Sequence, residues 1–291
     1  MELFGVYVPL ITPFKDGKVD EAGLRRLVDH LIVDGVTGLI PCGTTGESAT
    51  LSHDEHKRVV EITVEQTNKR VPVFAGAGSN CTAEAVELTC HAERAGADGT
   101  LQVSPYYVRP SQAGMVEHFK AIAEASPIPV ILYNIPKRTG TLMEVDTVLE
   151  LAKIKNIIGI KQSGVELADN MEVIRQAPDF AVLSGDDNMV FSLTALGGKG
   201  TIAASAHIAT RQWVQMVELI RDGQLAEARR LHYWLLPLAK VLFIEPNPAP
   251  LKAALEMLKL PAGDPRLPIL PASETCRKQI HSVLNAMNLT S

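Results

Sequence analysis

The residue best placed for chemistry in this sequence is Lys161. It closes the run Ile157-Ile158-Gly159-Ile160, and Gln162-Ser163-Gly164 follow as the chain turns. A short apolar run closed by turn residues has the pattern of a strand buried on both faces. A lysine at its end is held where water is scarce. Scarcity of water disfavours an ammonium ion, and the neutral amine can attack a carbonyl. A lysine there is more often structural, snorkelling to solvent or paired with a carboxylate, so its surroundings must decide. Gly43-Thr44-Thr45-Gly46 is one candidate neighbour. Glycines let the backbone approach a ligand, and threonines present N–H and hydroxyl donors, a set suited to a carboxylate or a developing oxyanion. A plain tight turn uses the same residues. Tyr133 carries a phenol that gives and takes protons, and it reads equally as a buried tyrosine with one satisfied hydrogen bond. Arg138 offers a planar fork for a second carboxylate, or it is a loop arginine in water.

The elements that must position these residues follow one repeated unit: an apolar strand, a turn rich in Gly, Ser, Thr and Pro, then an amphipathic helix. Strands are expected at 6–11, 38–41, 71–75, 100–103, 129–133, 157–161, 180–183 and 200–204. Leu24, Leu27, Val28, Leu31 and Ile32 form a stripe of helical period. Ser52 with Glu55 three residues on is a capping box. Met115, Phe119, Ile122 and Ala123 mark another helix. Eight such units with right-handed parallel crossovers predict an α/β fold, a (β/α)8 TIM barrel of the usual size of about 250 residues. An open doubly wound sheet fits less well, because no glycine-rich dinucleotide fingerprint follows the first strand. Beyond residue 225 the alternation stops. Helices are expected at 225–243, 250–260 and 272–287, around the proline-dense stretch 245–250. The chain therefore divides into a catalytic barrel, 1–225, and a C-terminal helical appendix, 226–291.

Strand order sharpens the chemistry, because barrel active sites lie at the C-terminal ends of the strands. Lys161, Tyr133, Tyr107, Thr44, Thr45, Arg138 and Gly185 all fall at or just after such ends. Lys199 precedes the eighth strand and belongs to the opposite, solvated mouth.

Composition excludes several classes. A formal net charge of -5 without a basic run argues against nucleic acid or anionic membrane as partner. Four cysteines without CxxC or metal spacing indicate a reduced, cytoplasmic protein. The first residues, Met1-Glu2-Leu3-Phe4-Gly5, lack a signal-peptide pattern, and no run nears the ~18 apolar residues of a membrane span. Gly197-Gly198-Lys199-Gly200-Thr201 lacks the first glycine and the final Ser/Thr of a P-loop. His53 and His56 stand at i, i+3 and not at the spacing of a helical zinc pair. Asp186-Asp187 reads more simply as a helix N-cap than as a metal site.

The chain resembles the dihydrodipicolinate synthase (4-hydroxy-tetrahydrodipicolinate synthase) family along essentially its whole length. The resemblance rests on Gly43-Thr44-Thr45-Gly46-Glu47, Pro105-Tyr106-Tyr107, Leu132-Tyr133-Asn134-Ile135-Pro136, Arg138-Thr139-Gly140, Gly159-Ile160-Lys161 and Leu183-Ser184-Gly185-Asp186-Asp187. It implies a lyase in which pyruvate forms an imine with Lys161, becomes an enamine and adds to L-aspartate 4-semialdehyde. It further implies a proton relay of Thr44, Tyr107 and Tyr133, with Thr44 and Thr45 on the pyruvate carboxylate and Arg138 on the semialdehyde carboxylate. The Ile202 carbonyl, near Gly185, would face the lysine, and no cofactor or metal would be needed. Tyr107 would cross a dimer interface, and two dimers would make a homotetramer. Ser48, Ala49, His53, His56, Asn80, Glu84 and Tyr106 match the family's L-lysine feedback site. Two departures stand out. Gln162-Ser163 replace an acidic and a small residue, and His207 replaces a common asparagine. A related pyruvate-dependent lyase or aldolase, similar to N-acetylneuraminate lyase or a sugar-acid aldolase, or a silent binding protein on the same scaffold, are the alternatives. Arg138 argues for a short acceptor with a carboxylate, and the intact lysine, tyrosines and threonines argue for an enzyme.

Overall fold

In the computed structural model, which describes residues 3–290, each apolar run expected as a barrel strand forms one. They are β1 (Gly5–Pro9), β2 (Gly38–Ile40), β3 (Phe74–Gly76), β4 (Gly99–Val103), β5 (Val130–Asn134), β6 (Ile157–Gln162), β7 (Ala181–Ser184) and β8 (Gly200–Ile202). The pairing is parallel in the order β2-β1-β8-β7-β6-β5-β4-β3. A bridge between Leu39 and Val73 joins the two ends. There the Leu39 N–H donates to the Pro72 carbonyl (3.0 Å) and the Gly76 N–H to the Pro41 carbonyl (2.8 Å), which closes the ring. The fold is a TIM barrel, and the open sheet is excluded. Met1 and Glu2, on which the reading of the N-terminus partly rests, lie outside the described residues.

The helices in chain order are α1 (Glu21–Val33), α2 (His53–Thr67), α3 (Thr82–Arg94), α4 (Gln112–Ala125), α5 (Pro136–Thr139) and α6 (Val145–Leu151). Then come α7 (Leu167–Gln176), α8 (Val190–Ala195), α9 (Thr210–Arg221), α10 (Leu225–Val241), α11 (Ala249–Met257) and α12 (Glu274–Ala286). The stripe on α1 faces the barrel: Leu24, Leu27, Val28 and Leu31 are fully buried. The capping box of α2 is present, with the Glu55 N–H on Ser52 Oγ (3.2 Å) and the Ser52 N–H on Glu55 Oε2 (3.0 Å). It satisfies donors that the first helical turn leaves without partners.

Three expectations are corrected. The first strand stops at Pro9 and not at 11, because the Ile11 N–H is taken by His207 Nε2 (3.2 Å). The third begins at Phe74 rather than 71, since Pro72 has no N–H to give a ladder. Asp186 and Asp187 cap no helix; Asp186 Oδ2 accepts from the Gly164 N–H (2.6 Å) and Asp187 from Ser205. The structure also adds a hairpin, Phe14–Lys15 against Lys18–Val19. Its two central residues, Asp16 and Gly17, have φ of 53° and 74°, the hairpin-turn geometry for which Asp-Gly is the sequence signal.

Packing forms two shells. Tyr7, Ile40, Phe74, Leu101, Ile131, Tyr133, Leu183 and Ile202 fill the barrel interior. Outside it, one cluster ties β1, α1, α2 and α9 to the C-terminal helices, and another lies under α4 and α6. Helix α10 packs on α9, and α12 on α10 and α11. The segment between α10 and α11 is thereby brought back against the barrel mouth.

Candidate active site

Lys161 is buried at the end of β6, in register with Tyr133 on β5 and Leu183 on β7. Its Nζ stands 4.4 Å from the centre of the Tyr133 ring. Among the described residues no carboxylate lies within ion-pairing distance of it. A cation over a phenol face is held by the ring quadrupole, which fixes the amine without neutralising it. Gly185, just past β7, makes room for this lysine. A Cβ there would lie 2.1 Å from Ser163 Oγ and 2.7 Å from Lys161 Cε, so any side chain at 185 must displace one or both. Ile202 ends β8 fully buried in the same interior layer as Tyr133.

Near Lys161, Ser163 Oγ and Asp187 Oδ1 are buried with no hydrogen-bond partner among the described residues. Asp187, for which a helix N-cap is the simpler expectation from sequence, is an inner group here. Its Oδ2 accepts from the Ser205 N–H (2.7 Å) and the Ser205 hydroxyl (2.5 Å). Burial raises its pKa above the ordinary carboxylate value, while Ser205 and the charge of Lys161 act in the opposite sense. Nothing local in the sequence marks it, because its partner comes from the turn after β8.

The loop after β2 is tightly built. The Gly46 N–H donates to the Gly43 carbonyl (3.1 Å), the Glu47 N–H to the Thr44 carbonyl (3.1 Å), and the Thr12 hydroxyl to the Gly46 carbonyl (2.7 Å). Thr45 is buried and Thr44 half-buried. Glu47, at φ 56°, points inward to Lys252 Nζ (2.5 Å) and the Arg266 N–H (2.8 Å). Lys252 is 2% exposed and Glu47 3%. Burial lowers the Lys252 pKa, and Glu47 pulls it back up. Arg266 also grips both oxygens of Glu55, each at 2.7 Å. This clamp has one local sign in the sequence, a single lysine in the apolar run Pro250-Leu251-Lys252-Ala253-Ala254-Leu255.

A cavity of about 530 Å³ opens beside the loop, lined by Thr44, Arg138, Ser48, Ala49, His53, His56, Glu84, Tyr106 and Asn247. Arg138 is exposed on α5. His56 Nε2 bonds the Gly76 carbonyl (2.9 Å), and burial lowers its pKa. Glu84 meets His53 Nε2 (3.3 Å) and the Ser79 hydroxyl. Asn80, Lys161, Tyr133, Thr45, Gly185 and Ile202 are not among the lining residues. Tyr107 stands apart: it is 89% exposed at φ 70° and reaches none of the other candidates within one chain. Asn247, from the segment before α11, donates to Thr45 Oγ1 (3.1 Å) and was not anticipated. Among the described residues no group of three or more His, Cys, Asp or Glu is placed to hold a metal ion, and no helix is long and apolar enough to cross a membrane.

Residues 2–287 match the model of the dihydrodipicolinate synthetase family. The 4-hydroxy-tetrahydrodipicolinate synthase of Syntrophus aciditrophicus (strain SB) is 49% identical over 286 residues, 98% of each chain. A crystal structure of a dihydrodipicolinate synthase superposes with a TM-score of 0.96 at 46% identity, covering 98% of this chain and 99% of that one. The crystal structure of the enzyme from Cyanidioschyzon merolae with lysine bound gives 0.97 at 39% identity, over 99% and 100% of the two chains.

Proposed function

The chain belongs to the dihydrodipicolinate synthetase family, and from that premise we propose that it is a lyase condensing pyruvate with L-aspartate 4-semialdehyde to 4-hydroxy-tetrahydrodipicolinate. The observation that carries this reading is a buried lysine, unpaired with any carboxylate, against a tyrosine ring at the catalytic end of the barrel.

In this reading Lys161 Nζ attacks the C2 carbonyl of pyruvate, and water leaves as the imine forms. Loss of a C3 proton gives the enamine, whose C3 adds to the aldehyde carbon of the semialdehyde. The amino group of that substrate then attacks the imine carbon, closes the ring and releases Lys161. One water is lost overall. Tyr133, Thr44 and Tyr107 move the protons. Thr44 and Thr45 hold the pyruvate carboxylate and Arg138 that of the semialdehyde. Gly185 leaves the lysine its space, and the Ile202 carbonyl faces it.

The exposure of Tyr107 favours a second copy of the chain as the place where it acts, and the proposed assembly is a homotetramer, a dimer of dimers. A fully active monomer in analytical ultracentrifugation contradicts that assembly. The grouping of Ser48, Ala49, His53, His56, Glu84 and Tyr106 around one cavity favours L-lysine as effector, with Asn80 nearby. Calorimetry with lysine shows heat of binding if so, and none if not. Four free cysteines favour the cytoplasm. The function itself is tested by a coupled assay offering pyruvate with several aldehydes. Turnover with aspartate semialdehyde far above that with sugar-derived aldehydes is expected, and the reverse preference overturns the assignment.

A further inference from the structure

Asn247 makes a contact that the proposed chemistry does not by itself require. It lies 202 residues from Thr45 in sequence, is 6% exposed, and donates from Nδ2 to Thr45 Oγ1 at 3.1 Å. A threonine hydroxyl has one hydrogen to give and lone pairs to receive. The amide occupies the receiving side, and the structure shows no acceptor for the Thr45 hydrogen among the described residues. That hydrogen is left to a ligand.

The placement of Asn247 is itself secured. Prolines flank it on both sides and restrict its backbone. Five residues on, Lys252 pairs with Glu47, two residues past Thr45 on the same loop. One C-terminal segment thus grips the loop twice, once by charge and once through the hydroxyl. Asn247 also lines the cavity beside Thr44 and Arg138. Its Oδ1 is buried without a partner, so Nδ2 is the end of the amide that the surroundings engage.

We propose that Asn247 is a positioning residue for the keto-acid carboxylate: by donating to Thr45 Oγ1 it commits the Thr45 hydroxyl to act as a donor toward that carboxylate. The proposal rests on the function assigned above. A carboxylate at 247 reverses the bond, because it accepts the Thr45 proton and withdraws it from the substrate. An alanine frees the hydroxyl to rotate.

The test is steady-state kinetics on the full chain with Asn247→Asp and Asn247→Ala, each alone and combined with Thr45→Val. Borohydride trapping of pyruvate on the unaltered enzyme checks the underlying assignment separately, since a wild type that is not trapped fails that assignment and not this bond. The KM for pyruvate should rise on the order of tenfold in Asn247→Asp and less in Asn247→Ala, the size expected for a charge-assisted hydrogen bond. The turnover number should stay within about threefold and the KM for the aldehyde should not change. In the Thr45→Val background neither change at 247 should raise the KM further. Equal effects with and without the Thr45 hydroxyl would mean that a buried charge or lost packing acts directly, and would overturn the proposal. So would an unchanged pyruvate KM in Asn247→Asp, or a loss confined to turnover.

Discussion

Two lysines are buried at this end of the molecule, and they are opposites. Lys252 sits over the Phe14 ring (4.2 Å) with Glu47 against its ammonium at 2.5 Å. Lys161 sits over the Tyr133 ring (4.4 Å) with no carboxylate paired to it. The environments match in the aromatic face and in the exclusion of water, and differ in the counter-ion. A buried charge with its counter-ion is locked, since separating the pair strands both charges. A buried amine without one has no ion pair to break before it forms a new bond. The same side chain is therefore a rivet in one place and the proposed nucleophile in the other.

That contrast is broken most severely at Lys161. Lys161→Ala should lower activity on the order of 10⁴-fold or more, with no loss in melting temperature. A large drop in stability would mean that the lysine is structural after all. The converse holds at the clamp. Lys252→Met leaves Glu47 buried and uncompensated, and denaturant unfolding should show a loss of about 3–5 kcal/mol. Replacing Glu47 with leucine in the same chain should recover much of it. If Lys252→Met is as stable as the parent, the pair is not the rivet described.

Buried histidines sharpen the point from a third side. His207 donates from Nδ1 to the Ala204 carbonyl (2.8 Å) and receives the Ile11 N–H at Nε2, so it is neutral and holds β1 to the turn after β8. Burial holds its pKa at about 4, against 6.5 ordinarily, and His118 is lowered to about 4 by the same cause. The unfolded chain binds these protons first as pH falls. Their contribution is therefore complete above pH 6.5 and is lost progressively between 6.5 and 4. For His207 it amounts to about 3 kcal/mol as an upper value. Unfolding curves at several pH values should show this slope, and His207→Asn should flatten it in part, leaving the shares of His118 and of His56 and His232, which burial also lowers. An unchanged slope would remove His207 from the account.

The smallest expected effect is at Gly185. Alanine there intrudes on Ser163 Oγ and Lys161 Cε, and displacing the amine by several tenths of an ångström should lower kcat/KM about 100-fold. A fully active Gly185→Ala would mean the pocket yields more readily than its packing indicates.

How much of this was legible in the sequence follows from where each partner lies. The burial of Lys161 at a strand end was legible because strand, turn and lysine are adjacent, and strand order put Thr44, Tyr133, Arg138 and Gly185 at or after the same ends of their own strands. The hairpin at Asp16-Gly17 had a local signal that went unread. Asp187, Asn247 and Lys252 carried almost none, because each is defined by a group distant in the chain: Ser205, Thr45 and Glu47. The proline-dense stretch looked like a connector, and folding turns it into a wall of the site. Strand ends shifted where a proline or a histidine took the place of a ladder bond.

The unpaired lysine, Lys161, is the proposed nucleophile. Reduction with borohydride in the presence of pyruvate, followed by peptide mass analysis, tests that role directly. A pyruvate-derived adduct is expected on the peptide carrying Lys161 and none on the peptide carrying Lys252. An unmodified Lys161, or an adduct at Lys252 instead, would contradict that role.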